Sequence, residues 1–138
     1  MSLNESLGAP QRCRILVMDD EPLVREAIAM LLKSMQYDVL DAATGEEALQ
    51  ILRELPPTDP PLLLIALLDL TVLHGQGGHE IIDPLRQEFP DVKAVVMTGR
   101  QDDPLVANFE EHGFVAVLSK PFQAKDLSEL IQRLCDMP

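Results

Sequence analysis

The sequence predicts an α/β domain, a (βα)5 doubly wound fold in which helices cover both faces of a five-stranded parallel sheet. Short apolar runs recur five times along the 138 residues, helix-period segments lie between them, and the runs are continuously apolar rather than alternating. A strand covered on both faces has no wet side, so it reads as an unbroken hydrophobic stretch. One domain accommodates the whole pattern, because a chain of this size buries roughly 70% of its unfolded surface and a second domain has no room.

The strand segments are Ile15 to Met18, Val39 to Ala43, Leu62 to Leu68, Ala94 to Met97 and Val115 to Leu118. A first helix starts near Pro22, whose fixed φ suits an initial helical position, and Val24, Ile28, Leu31, Leu32 and Met35 supply its apolar stripe. Thr44 ahead of Gly45, Glu46 and Glu47 is a capping pattern that opens a second helix, which Pro56 and Pro57 end. Glycines 75, 77 and 78 lead to a third helix from about His79 to Phe89, which Pro84 should strain or kink. A fourth is expected over Pro104 to Glu111, ending at Gly113, and a fifth over Ala124 to Cys135 with Leu127, Leu130, Ile131 and Leu134 on one face. Residues 1–12 read as a linker or disordered N-terminal segment, and residues 13–138 as the domain.

Charge narrows the function classes. With 23 acidic against 11 basic residues and a net charge of -12, nucleic-acid phosphates and anionic membrane surfaces are not expected partners. The longest apolar run, Leu62 to Leu68, is far short of the roughly 20 residues of a membrane helix. Residues 1–13 show no basic stretch followed by an apolar core, so no secretory leader is expected and a cytoplasmic setting is favoured. Cys13 and Cys135 have no neighbour at metal-ligand spacing and are read as two reduced thiols without chemistry. His74, His79 and His112 lack a second ligand at helical spacing and are read as solvated.

In a doubly wound sheet, ligands bind at the carboxyl ends of the strands. Those ends carry Asp19-Asp20-Glu21, Asp69, Thr98-Gly99 and Lys120-Pro121. Three converging carboxylates repel one another unless a cation joins them, and hard oxygen ligands with open positions suit Mg2+. An aspartate beside such a cation, with a lysine as point charge and a threonine hydroxyl as donor, can accept a phosphoryl group covalently. Asp69 is the candidate nucleophile. Glu21 is assigned instead to the helix start before Pro22.

This ordered set, from Arg14 to about Leu134, resembles the response-regulator receiver domain of two-component signalling. The resemblance implies a flavodoxin-like sheet of strand order 2-1-3-4-5. It also implies metal-binding acids at Asp19 and Asp20, a phosphoacceptor and metal ligand at Asp69, and a backbone carbonyl ligand from Thr71. Thr98 corresponds to the switch hydroxyl and Lys120 to the phosphoryl-pairing lysine, often followed by a cis peptide bond. Implied partners are a sensor histidine kinase or a histidine phosphotransfer domain, with a receiver–receiver dimer as a further option. The resemblance further implies that such a domain promotes its own phosphorylation and dephosphorylation, switching the surface of the fourth helix, fifth strand and fifth helix.

Two positions depart from the family pattern. Val117 stands where many receivers have an aromatic residue, so the aromatic half of the switch is not expected to operate. Leu73 replaces a frequent proline in "DLTVLHGQGG", and with its extra glycines that loop is expected to be mobile. The loop and "DDPLVANFEEHGFVAVLSKPF" are similar to receivers at the ends of hybrid sensor histidine kinases, which makes excision from a longer chain the expected origin, with a stand-alone single-domain regulator as the alternative. An aspartyl phosphohydrolase is disfavoured, because Thr71 occupies the place of the second aspartate such an enzyme uses as general acid. A binding module that keeps the fold without the chemistry is the remaining class, and the intact site residues argue against it.

Overall fold

The structure, a computed structural model, describes residues 13–58, 61–73 and 75–136, so the segment 1–12 and His74 lie outside the described residues. The order is β1 (Cys13–Met18), α1 (Pro22–Ser34), β2 (Asp38–Ala42), α2 (Gly45–Glu54), β3 (Leu63–Asp69), α3 (Gly78–Glu88), β4 (Lys93–Thr98), α4 (Pro104–Ala107), β5 (Ala116–Ser119) and α5 (Ala124–Asp136). All strand pairs are parallel, in the order β2-β1-β3-β4-β5. The strand order therefore reverses between β1 and β3, and the crevice of such a sheet opens outside the carboxyl ends of these strands.

Side-chain alternation along the strands feeds two cores. Leu16, Met18, Ala66, Leu68, Ala94 and Val96 pack with Leu49 and Leu52 of α2, Ile81 and Leu85 of α3, and Leu105 of α4. On the opposite face Ile15, Val17, Ile65, Leu67, Val95 and Met97 meet Ile28 and Leu32 of α1 and Leu127, Leu130, Ile131 and Leu134 of α5. Each of these large side chains, fully buried, contributes roughly 1.5–3 kcal/mol of transfer free energy. That double coverage is why the strands carry no polar alternation. Among the described residues no helix is long and apolar enough to cross a membrane.

Helix starts follow the capping chemistry of the sequence. Pro22 is the first residue of α1, and Glu21 is its N-cap without a side-chain cap bond. Thr44 Oγ1 accepts the Glu47 N–H at 3.2 Å, while Glu47 Oε1 accepts the Ala43 N–H at 2.5 Å. α3 runs through Pro84, which lacks the N–H that would bond back to Glu80. Burial of Ile81, Ile82 and Leu85 on either side of Pro84 holds it in the helix.

Two expectations are corrected. The fourth helix stops at Ala107 and is followed by turns instead of continuing to Glu111. The cause is local: the Asn108 side-chain amide takes the Pro104 carbonyl at 3.4 Å, and the Asn108 backbone N–H bonds to Leu105. Tight turns then lead through Gly113, at φ +99, to the buried Phe114.

Cys13 and Cys135 are not separate thiols: they form a disulfide, with Cα atoms 6.0 Å apart across 122 residues of sequence. A helix following a parallel strand returns antiparallel to it, so the C-terminal end of α5 lies where β1 begins.

Among its described residues, the β3–α3 loop makes three backbone hydrogen bonds to neighbouring loops and helix starts. Gly45 N–H donates to Gln76 O at 2.6 Å, Gln76 N–H to Glu46 Oε1 at 2.9 Å, and Leu73 N–H to Asp20 Oδ2 at 2.8 Å. Its glycines serve close packing: a Cβ on Gly77 would lie 2.7 Å from Leu70 O and 2.9 Å from Thr71 Cα.

Candidate functional site

Asp19 directly follows β1, whose last residues are paired with both β2 and β3, and its N–H extends that ladder to Ala42 O at 3.1 Å. Its side chain is fully buried, and Oδ1 accepts the Glu21 N–H at 2.9 Å. Asp69 ends β3 and is 9% exposed. Asp20 lies in the loop between β1 and α1. One carboxylate oxygen from each of Asp19, Asp20 and Asp69 falls within a group spanning at most 4.8 Å. Glu21 is not part of that group.

Lys120 follows β5 and donates to Asp19 Oδ2 at 2.6 Å and to Asp69 Oδ1 at 3.3 Å. Its backbone is fixed by an N–H bond to Thr98 O at 2.8 Å, and the Lys120–Pro121 peptide is cis, as the resemblance implied. Thr98 ends β4, is 3% exposed, and accepts the Arg100 N–H on Oγ1 at 2.9 Å. Asp20, Asp69, Thr71, Leu73 and Lys120 line an open cleft of about 700 Å³. Asp19 and Thr98 are buried and do not line it. The topology therefore assembles every singled-out residue at one edge.

The electrostatics follow from burial. Desolvation pushes the Asp69 carboxyl up to about 6; the charge of Lys120 opposes the rise and that of Asp19 adds to it. Desolvation works against the Lys120 ammonium, but the Asp19 hydrogen bond and the two carboxylates outweigh it and raise the pKa above the ordinary lysine value. One ammonium thus partly neutralises three carboxylates, and the remaining negative charge with oxygen donors at this spacing fits a hard divalent cation. Asp19, Asp20 and Asp69 would hold it.

Near the site, Arg25 gave no signal in the sequence, whereas Leu73 stood out only as the place of a missing proline. Arg25 donates from Nη1 to the Asp19 carbonyl at 2.8 Å and lies 3.5 Å from Asp41, fixing the loop after β1. Leu73, 85% exposed, ties the β3–α3 loop to Asp20 through its backbone. An arginine in a helix is ordinarily a surface residue, while at position 73 the absence of proline leaves the N–H that makes the bond.

The profile of the family described as "Response regulator receiver domain" matches residues 15–132. The chain belongs to the response-regulator receiver family. The receiver is 30% identical over 122 residues to the sensor kinase CckA of Brucella abortus, covering 88% of this chain and 12% of that protein. Against the response regulator GacA of Pseudomonas protegens it is 32% identical over 123 residues, covering 88% of this chain and 53% of the relative. The chain therefore spans about half the length of GacA and a small part of CckA. A CheY-like receiver from Methanospirillum hungatei superimposes with a TM-score of 0.77 at 26% identity, covering 90% of this chain and 94% of the other. The regulator TrrA of Thermotoga maritima, solved in complex with Mg2+–BeF, gives a TM-score of 0.70 at 25% identity, covering 88% and 98%. This receiver is thus a domain of two-component signalling, a class that interacts with histidine kinases or phosphotransfer proteins and generally binds Mg2+ in its acidic pocket.

Proposed function

We propose that Asp69 is the phosphoacceptor of this receiver. The observation that carries the reading is the contact of one half-buried ammonium, Lys120 Nζ, with both Asp19 and Asp69 beside a third carboxylate. In the reaction an Asp69 oxygen attacks the phosphorus of a partner's phosphohistidine, the P–N bond breaks, and an acyl phosphate forms. Lys120, at the mouth of the cleft, exchanges its Asp69 contact for a phosphoryl oxygen. Thr98 Oγ1 keeps its own proton to donate to that group while accepting the Arg100 N–H. Bound Mg2+ supplies charge neutralisation for the incoming group, held by Asp19, Asp20 and Asp69, with Thr71 offering its backbone carbonyl. The Thr98 and Lys120 loops flank β5 and lead into α4 and α5, so their rearrangement would be read on the α4–β5–α5 surface.

The partner is a histidine kinase or histidine phosphotransfer domain working in the cytoplasm, where kinase phosphoryl groups originate from ATP. The likeness to CckA supports a hybrid-kinase parent. A native reading frame without a kinase core alongside this domain would overturn that origin and leave a separate response regulator, as the likeness to GacA suggests. Incubation with Mg2+ and acetyl phosphate or beryllofluoride tests the chemistry: an Mg2+-dependent adduct on Asp69 is expected. An adduct that persists in Asp69→Ala would sink the assignment.

A further inference from the structure

The disulfide occupies a particular place in the frame. β1 is attached to the segment 120–135 at both ends: at its carboxyl end Asp19 accepts Lys120 Nζ at 2.6 Å, and at its start Cys13 is bonded to Cys135. α5 lies between these two attachments, with Leu127, Leu130, Ile131 and Leu134 buried in the same core as Cys13. The last turn has one further anchor at hand, a Lys93 Nζ donation to Leu134 O at 3.0 Å. The two residues differ in burial, since Cys13 is 0% exposed whereas Cys135 is half-buried, packed against the edge of the same core.

We propose that Cys13–Cys135 is a reversible redox site, acted on by dithiols and disulfides, whose oxidation state sets how firmly the C-terminal turn of α5 is held to β1. Disulfides in a reducing cytoplasm are usually transient or redox-sensing rather than permanent. The choice of reversibility therefore rests on the cytoplasmic setting proposed above, but not on the phosphoacceptor reading. A reductant thiolate attacks Sγ of Cys135, the less buried residue of the pair, the Cys13–Cys135 bond breaks, and Cys13 leaves as a thiolate that takes up a proton. The second thiol of the reductant then displaces Cys135, and the reductant becomes a disulfide while the protein gains two electrons and two protons. Oxidation by a disulfide such as oxidised glutathione runs the same steps backwards. Because the leaving Cys13 is buried among apolar side chains, where a thiolate is poorly solvated, exchange is coupled to opening of the last helical turn.

The test uses the whole chain equilibrated with graded ratios of reduced and oxidised dithiothreitol, quenched by alkylation and read by intact mass. One two-electron transition under native conditions is expected, with Cys135 alkylated faster than Cys13 in the reduced form. Hydrogen exchange at residues 131–136 is expected to rise about tenfold on reduction while the amides of β3 and β4 stay protected. Cys135→Ser should reproduce that exchange pattern in either buffer, and Cys13→Ala provides a second variant should one of them fold poorly. Free thiols in the oxidised couple, reduction only after global unfolding, or equal exchange of the two forms at 131–136 would each overturn the proposal. Phosphorylation at Asp69 is scored separately, so failure of one reading does not imply failure of the other.

Discussion

The replacement Asp69→Asn tests the electrostatics of the site directly. A carboxyl that titrates near 3.8 when unfolded and at about 6 when folded binds its proton more tightly in the native state. Between those values the native state keeps a proton the unfolded chain has released, so raising the pH through this window removes stability. Above the window the penalty is complete, and at 1.36 kcal/mol per pH unit it amounts to about 3 kcal/mol. The carboxamide of asparagine has nearly the same shape, carries no charge at any pH, and can still offer its oxygen to Lys120. It gives up the charged contact at 3.3 Å, which Lys120 partly recovers through Asp19 at 2.6 Å. With EDTA present to exclude divalent cations, Asp69→Asn should therefore be more stable than the parent by about 1–3 kcal/mol near neutral pH. The advantage should shrink as the pH falls through 6 toward 3.8. Urea unfolding at a series of pH values measures it. A variant less stable than the parent near neutral pH, or a difference independent of pH, would show that burial does not dominate at Asp69.

Mg2+ binding must displace the Asp69 proton, so affinity measured by calorimetry should be level above about pH 6 and fall about tenfold for each pH unit below it; a flat profile would remove Asp69 from the ligand set. Lys120→Met leaves the fully buried Asp19 without its cation and should destabilise the metal-free protein by about 3 kcal/mol, with Mg2+ recovering part of the loss in thermal melts. Gly77→Ala forces a Cβ against Leu70 O, Thr71 Cα and Val72 N, all backbone atoms that cannot swing aside. A loss of about 1–3 kcal/mol in urea unfolding is expected, together with weaker Mg2+ binding through displacement of Thr71.

What the sequence made legible was governed by local chemistry and by strand order. Each apolar run became a strand because both sheet faces are covered, so strand existence and order could be read from continuous hydrophobicity alone. The site was legible for the same reason: once the strands are parallel, whatever follows each one arrives at a single edge, and Asp19, Asp20, Asp69, Thr98 and Lys120 all do. What escaped the sequence was tertiary. Cys13 and Cys135 meet only because α5 returns along the central strand, which a separation of 122 residues conceals. Residues 108–111 continue a plausible helical pattern, and the competition of the Asn108 amide for the Pro104 carbonyl decides against it. The glycines at 75 and 77 suggested freedom, whereas Gly77 is selected by the approach of the Leu70–Val72 backbone and Gly75, at φ +154, by the proximity of Thr44.

The charge balance of the cleft connects its architecture to its chemistry. Three carboxylates and one ammonium leave a surplus of two negative charges in a site where Asp19 is completely desolvated. A divalent cation cancels that surplus, whereas a monovalent one leaves half of it. Converting the Asp69 carboxylate to an acyl phosphate adds about one further negative charge, so the modified site is again unbalanced even with the cation in place. The groups able to respond are the donors beside the acids: Lys120, released from its longer contact to Asp69, and the buried Thr98 hydroxyl on the neighbouring strand end. Thr98 ends β4 and Lys120 follows β5, where the chain leaves the sheet toward α4 and α5, while Asp19 and Asp20 are held by backbone bonds from Glu21 and Leu73. On the phosphoacceptor reading proposed above, the imbalance would be relieved by movement on the β4–β5 side of the sheet, with the carboxylate side as the fixed reference against which that movement is made.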